Sequence, residues 1–285
     1  MKQLAVISGK GGTGKTTVSA SFISLSNNKV AVDCDVDAPN LHLLLHPQIL
    51  EKKDFYGSKI AVRDKEKCIQ CGACELRCRF DAITCDDINT FACEGCGLCV
   101  LVCPSHALRL ETAKSGEFYL SETKYGPMIH AKLVPGGESS GLLVTKIREL
   151  AKDVTHGKDK NLIIIDGPPG IGCTSIASIV EVDLAVIVTE PTLSGIHDMK
   201  RVIQLTDHFG IPVCVVINKA DLNENNSKEI QNYCEVNGKP IIGTIPFDED
   251  VTKAIAAGIP LVEFSSGPAS SAVKQTWEKV KTLVS

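Results

Sequence analysis

Long apolar runs are missing from this 285-residue sequence, and so is any marked excess of charge. No stretch approaches the roughly 18 consecutive apolar residues that a membrane-spanning helix needs. Met1-Lys2-Gln3 leads into only Leu4-Ala5-Val6-Ile7 before a Gly-Lys-rich turn. That is too little apolar length for a secretory signal, so the expected location is cytoplasmic. With 30 Lys plus Arg against 34 Asp plus Glu, net charge −4, no general attraction to nucleic acid or anionic lipid is expected. Low-complexity linkers and charge blocks are absent, and 44% hydrophobic residues argue against disorder. Cysteine, by contrast, is abundant at 13 residues. A chain this long buries a core without staples. In a reducing compartment clustered cysteines more often bind metal than pair as disulfides.

Short Val/Ile-rich runs suit strands buried on both faces of a parallel sheet: Leu4–Ser8, Val30–Asp33, Leu162–Asp166, Leu184–Thr189, Val213–Asn218 and Ile241–Ile245. Amphipathic stretches lie among them at Thr16–Ser26, Gly141–Lys152, Gly195–His208 and Asn225–Val236. The alternation predicts an α/β fold, a mostly parallel sheet with helices on both faces. It breaks between about residues 59 and 111, where nine cysteines fall from Cys68 to Cys103. The expected organisation is one discontinuous domain, 1–58 and 112–285, with a small α+β insertion at 59–111. Val273, Trp277, Val280 and Val284 share one face of a terminal helix. Such a helix packs on its own domain or lies on a membrane surface; its length and modest charge favour the first.

Directly after the first strand comes Gly9-Lys10-Gly11-Gly12-Thr13-Gly14-Lys15-Thr16-Thr17. Glycines let backbone amides curl around phosphate oxygens, and the helix that follows turns its positive end to the same anion. Lys15 is expected to reach the β and γ phosphates, and the Thr16 hydroxyl to ligate Mg²⁺. The strand Leu162–Asp166 ends in an acid suited to the same Mg²⁺. It leads into Gly167-Pro168-Pro169-Gly170, suited to a loop that senses a γ-phosphate. Asn218-Lys219-Ala220-Asp221 ends a later strand, where open α/β sheets bind ligands. It either contacts a base or is a simple turn.

Lys10 within this loop makes the motif resemble the deviant phosphate loop of the MinD/ParA/Mrp ATPases and the nitrogenase iron protein, a likeness spanning the chain outside the insertion. The resemblance implies that Lys10 reaches the partner's phosphates in a homodimer that sandwiches nucleotide. It implies that Asp35, in Val32-Asp33-Cys34-Asp35, positions the attacking water. It further implies adenine contacts through Asn218 and the late loop Ile245-Pro246-Phe247-Asp248, hence ATP as the nucleotide, although Asn-Lys-x-Asp on its own would also suit guanine.

The insertion carries Cys68-x2-Cys71-x2-Cys74-x3-Cys78 and then Cys93-x2-Cys96-x2-Cys99-x3-Cys103-Pro104. This doubled spacing resembles bacterial two-cluster ferredoxins, where the fourth cysteine of each run serves the other cluster. The expected [4Fe–4S] ligand sets are Cys68, Cys71, Cys74 and Cys103, and Cys93, Cys96, Cys99 and Cys78. Zinc could use the same thiolates, although zinc ribbons favour separated pairs. Gly72, Gly95 and Gly97 would allow close backbone approach. Arg79 stands where the second run has Pro104.

Of the remaining Cys34, Cys85, Cys173, Cys214 and Cys234, most are expected to be inert buried thiols. Cys173 lies seven residues beyond Asp166, an offset at which the nitrogenase iron protein ligates a dimer-bridging cluster. No second cysteine stands between Cys103 and Cys173, so a free thiol near the switch is the alternative.

The combination resembles MinD-superfamily ATPases with an inserted ferredoxin domain. It implies a nucleotide-gated dimer passing electrons to a partner protein. A cluster scaffold or carrier is a second reading, though no Cys-x2-Cys occurs in the C-terminal half as in Mrp-type carriers. A MinD-like positioning ATPase with a docking module is a third. The 125–128 and 138–141 segments are candidates for a partner-facing surface.

Overall fold

The computed structural model describes residues 1–137, 140–155 and 161–284; Glu138 and Ser139 of the suggested partner surface lie outside them. The elements run β1 (Lys2–Ser8), α1 (Lys15–Leu25), β2 (Lys29–Asp33), α2 (His42–Leu45), β3 (Gln48–Phe55), β4 (Ser58–Arg63), α3 (Ala73–Arg77), α4 (Leu98–Leu101) and β5 (Leu108–Ala113). There follow β6 (Gly116–Thr123), β7 (Gly126–Leu133), α5 (Ser140–Thr155), β8 (Leu162–Pro169), α6 (Cys173–Ile179), β9 (Leu184–Thr189) and α7 (Leu193–His208). The chain closes with β10 (Val213–Asn218), α8 (Glu224–Val236), β11 (Ile241–Ile245), α9 (Glu249–Ala257), α10 (Leu261–Phe264) and α11 (Pro268–Val284).

Nine strands form one sheet in the order β11-β10-β9-β1-β8-β2-β7-β6-β3. Pairing is parallel from β11 to β7 and antiparallel from β7 through β6 to β3. Side chains alternate across the pleat: Ile163 and Ile165 enter one core layer with α5, α7 and α8, while Ile164 enters the other with α1 and α11. The Val/Ile runs are therefore strands covered on both faces. α11 buries Val273, Trp277, Val280 and Val284, and Trp277 packs 5.1 Å from the Phe22 ring of α1. Its apolar face is thus occupied by the protein's own core. Among the described residues no helix is long and apolar enough to cross a membrane.

The antiparallel extension departs from the sequence expectation. β3 is almost wholly exposed and carries Glu51, Lys52 and Lys53, the charge pattern of a protected sheet edge. Met128 of the suggested partner surface is fully buried, because β7 pairs with β2 inside the sheet. That residue is core, not interface.

On β7, His130 stacks between Tyr119 at 4.8 Å and His42 at 6.3 Å, and lies 3.1 Å from the Ser121 hydroxyl. Burial, then the neighbouring His42, push its pKa down to about 4, below the unfolded value of about 6.5. The neutral ring's contribution is complete above that unfolded value and lost as pH falls through the folded one. The expected cost is about 1–3 kcal/mol between pH 6.5 and 4. It is read as the difference in pH-dependent melting between wild type and His130→Gln.

The segment between β3 and β6 forms a small body of its own. β4 and β5 pair antiparallel from Ser58 opposite Ala113 to Arg63 opposite Leu108. At its neck the fully buried Ser115 accepts hydrogen bonds on its hydroxyl from the Gly57 and Ser58 amides, at 2.8 and 3.0 Å. Its interior is a minor core of Ala61, Ile83, Cys99 and Leu108 with several thiols packed against it.

Candidate nucleotide site and cysteine hollows

Buried strands β1, β2 and β8 end side by side, and their terminal residues converge on the start of α1. Gly14 caps that helix at φ 89°, a left-handed conformation favouring glycine. A Cβ there would stand 2.2 Å from the Asn218 side-chain amide. Gly11 and Gly12 open outward, with nothing within 4 Å of a Cβ at either. The loop is an open cradle ahead of a helix N-terminus.

Behind it lies a buried charge cluster. Lys15 Nζ stands 3.0 Å from Asp166 Oδ1, which also accepts from Ser19 Oγ at 2.7 Å. The Thr16 hydroxyl lies 2.9 Å from both Asp166 Oδ2 and Asn40 Oδ1. Burial alone pulls the Lys15 ammonium down; Asp166, with Asp33 and Asp35 around it, outweighs this and leaves it above the usual lysine value. Asp33 is fully buried, and burial followed by repulsion from Asp166 raises its carboxyl to about 7. Its two oxygens accept the Asp35 and Leu41 amides at 3.0 and 3.1 Å, pinning both ends of the loop that carries Asp35. The Asp35 carboxylate accepts the Ala38 amide at 3.3 Å, and burial also raises its pKa.

Lys10 Nζ pairs with Glu190 at 2.7 Å and donates to Thr192 and Ser194 at 3.1 and 2.9 Å. Glu190 also holds Lys219 at 2.9 Å, and Lys219 donates to the Gly12 carbonyl at 3.1 Å. Burial opposes ionisation of Glu190, but hydrogen bonds from Lys10 and Lys219 hold it below the usual carboxylate range. Asn218 Nδ2 donates to the Thr13 carbonyl at 2.7 Å, while its oxygen accepts the Lys219 amide. In this arrangement Asn218 and Lys219 brace the phosphate loop. Asp221 accepts the Phe247 amide at 2.7 Å, beside Pro246, and leaves the Phe247 ring half-exposed. Thr17 is buried in α1.

Asp33, Asn40, Ser19 and Glu190 went unnoticed in the sequence. Asp33 and Glu190 carried a signal: acids at or just beyond the ends of fully buried strands require partners.

The eight cysteines of the two runs sort into two hollows. Cys68, Cys71, Cys74 and Cys103 line one, and Cys78, Cys93, Cys96 and Cys99 line the other. Each set takes its fourth member from the other run. The Ala82 and Ala107 amides point at Cys78 and Cys103 Sγ, at 3.4 and 3.2 Å. These residues stand 25 apart, and the offset recurs throughout. Gln70 and Gly95, Gly72 and Gly97, and Asp81 and His106 all have positive φ in matching pairs, and α3 and α4 begin after Gly72 and Gly97. Even the pairing obeys it: Arg63 faces Leu108 while Ile88 bridges Ile83. This cysteine-bearing segment is a twofold repeat whose halves interlock.

Cys34, Cys214 and Cys234 are fully buried, and burial raises each thiol, Cys214 to about 12 and Cys234 to about 11. Cys173 is exposed at the start of α6, facing Gly141. Cys85 joins the wall of the Cys68 hollow.

This phosphate loop, with a strand-end acid beneath it on a mostly parallel sheet, defines a P-loop nucleotide hydrolase. The CobQ/CobB/MinD/ParA nucleotide binding domain model matches residues 4–261; the chain belongs to that family and is an ATPase of the MinD/ParA type. An uncharacterized protein of Methanocaldococcus jannaschii is 37% identical over 99% of this chain and 97% of its own length. The iron-sulfur cluster carrier protein of Pyrococcus abyssi is 25% identical over 98% and 85%. The fold is shared with the septum site-determining protein MinD of Pyrococcus horikoshii, solved with Mg-ADP. That structure has TM-score 0.62 and 18% identity, covering 99% of this chain and 96% of that one.

Proposed function

We propose that this ATPase couples nucleotide turnover, in a homodimer, to electron transfer through two [4Fe–4S] clusters held in residues 59–111, toward a redox partner protein. The observation that carries it is the sorting of eight thiols into two crossed sets of four within one small body of a phosphate-loop protein. The donor set fits such clusters on further grounds. Each hollow brings together four cysteines of the two runs, the ligand number of a [4Fe–4S] cluster. Arg63 Nε, in the wall of one hollow, is a buried donor without a hydrogen-bond partner. When bound, such clusters take up and release single electrons.

At the nucleotide, Thr16 and Asp166 supply the hydroxyl and carboxylate that Mg²⁺ takes alongside phosphates. Lys15, turned from Asp166 toward phosphate, stabilises charge developing on the γ-phosphoryl group. Asp35 orients water, held in place by Asp33. Lys10 has to leave Glu190, Thr192 and Ser194 to reach a partner's nucleotide, so dimerisation exchanges one ion pair for another. The exposed Phe247 ring and Pro246 offer an apolar surface to adenine beside Asn218, Lys219 and Asp221.

Anaerobic purification with iron and sulfide assays tests the cluster half, about eight irons per chain being expected. Cluster reduction is then followed by EPR with and without Mg-ATP, in wild type and Lys15→Ala. Reduction that proceeds identically in all four samples removes the coupling. The second reading, cluster delivery, is favoured by the relatives named iron-sulfur cluster carriers. Rapid loss of iron to an apo-acceptor in place of survival through redox cycling supports that reading.

A further inference from the structure

We propose that Arg63, Cys85 and Ser105 make the cluster site of Cys68, Cys71, Cys74 and Cys103 the more electron-accepting of the two. The proposal rests on the two-cluster reading and adds a direction to it. The 25-residue repeat supplies an internal control, since the two walls can be compared position by position. Where one hollow has Arg63, Cys85 and Ser105, the corresponding positions of the other half are Ile88, which packs on the small core, and Leu110 and Phe80, which line the second hollow. The replacements at all three positions run from polar to apolar in the same direction.

Arg63 and Ser105 also contact the ligand thiols directly. The Arg63 guanidinium is fixed by the Cys85 and Thr84 carbonyls, both at 2.6 Å, and reaches to 3.9 Å from Cys74 Sγ. Its Nε is buried and unpartnered. The Ser105 hydroxyl lies 3.7 Å from Cys103 Sγ and donates to it once that sulfur is a thiolate. Cys85 Sγ hydrogen-bonds the Glu75 carboxylate and approaches the Gly72 turn, where a Cβ would meet it at 3.8 Å. The matching Gly97 turn meets the Leu110 methyl. Reduction adds negative charge to a site already surrounded by thiolates, so a fixed cation and sulfur-directed donors favour the reduced form.

Two features of the other hollow oppose this. Cys93 Sγ accepts the Ala61 amide at 3.4 Å, but a neutral backbone donor is weaker than a charged one. Arg77 and Glu94 also line it, yet both are exposed and of opposite sign, so solvent screens them and they offset each other. The balance stays with Arg63. Placement gives the asymmetry a direction. Cys93 shares a groove with Val134, Pro135, Gly136 and Gly137 of the ATPase body, whereas no lining residue of the more accepting hollow reaches that groove. Single electrons therefore drift outward, from the body-side site to the outer one, with no bond or proton exchanged.

The test is a potentiometric titration of the full chain, reduced stepwise with dithionite and followed by EPR, beside an iron assay. Wild type is expected to reduce in two separated steps. Arg63→Ile, Cys85→Leu and Ser105→Ala each move the first step toward the second and leave the second in place. Arg63→Gln serves if the isoleucine variant misfolds, and Leu110→Cys is expected to move the second step toward the first. About eight irons with both steps indifferent to the Arg63, Cys85 and Ser105 variants overturns the asymmetry. Iron far below eight in wild type overturns the two-cluster reading beneath it.

Discussion

Lys15→Ala is expected to lower ATP turnover on the order of 10³-fold, the scale of removing one preorganised charge-stabilising donor. A large stability change accompanies it. Lys15 is the cation within a cluster whose acids Asp33 and Asp166 are both fully buried. Removing it leaves charge buried without compensation, at a cost of roughly 3–5 kcal/mol. The loss depends on pH in a defined sense. Asp33 in the folded chain already stands at about 7, against about 3.9 when unfolded. Its folded form therefore holds a proton more tightly, and stability declines as pH rises from about 4 to 7. With Lys15 gone this slope steepens, so the variant recovers part of its deficit near pH 5. Thermal melts at pH 5 and 7.5 measure it. Lys15→Ala with Asp166→Asn separates the two effects: stability returns and turnover does not. A double variant as unstable as the single one would falsify the charge account.

The crossed cysteine sets give a second sharp outcome. Cys78 and Cys93 line the same hollow although they belong to different runs, whereas Cys68 and Cys78 share a run and line different hollows. Cys78→Ala with Cys93→Ala is therefore expected to retain about four irons, and Cys78→Ala with Cys68→Ala close to none. Ligand sets that followed the runs would reverse this result. The two proteins carry equal numbers of substitutions, so general damage to the small body does not mimic the contrast. Iron and sulfide assays on anaerobically purified protein decide between the two.

What could be read from the sequence, and what could not, divides along physical lines. β1, β8, β9, β10 and β11 were legible because burial on both faces fills their middles largely with Val, Ile, Leu and Ala. β3 was not, since Gln48–Phe55 has a single half-buried residue at its end and an edge strand carries no apolar signature. The phosphate loop and the cysteine runs were legible because both place ligand-binding groups at fixed local spacing. The latch on Lys10 was not. Glu190, Thr192 and Ser194 meet it only because β1 and β9 are neighbours in the sheet. Nor was Arg63 legible, whose position over the thiols depends on β4 pairing with β5. Motif residues are set by local geometry; their partners are set by topology.

The neck at Ser115 has a consequence for how such a chain can change. Phe55 and Gly116 are cross-strand partners, and so are Ser58 and Ala113, so the chain leaves the large sheet and returns to it at a single point. A tight turn joining Phe55 to Gly116 would close β3 and β6 into an ordinary hairpin with its register untouched. The cysteine-bearing body is thus a cassette on a two-stranded stem. Its gain or loss is a single edit at a hairpin tip that leaves the large sheet intact. The same stem makes the cassette transferable to any protein offering two adjacent antiparallel strand ends.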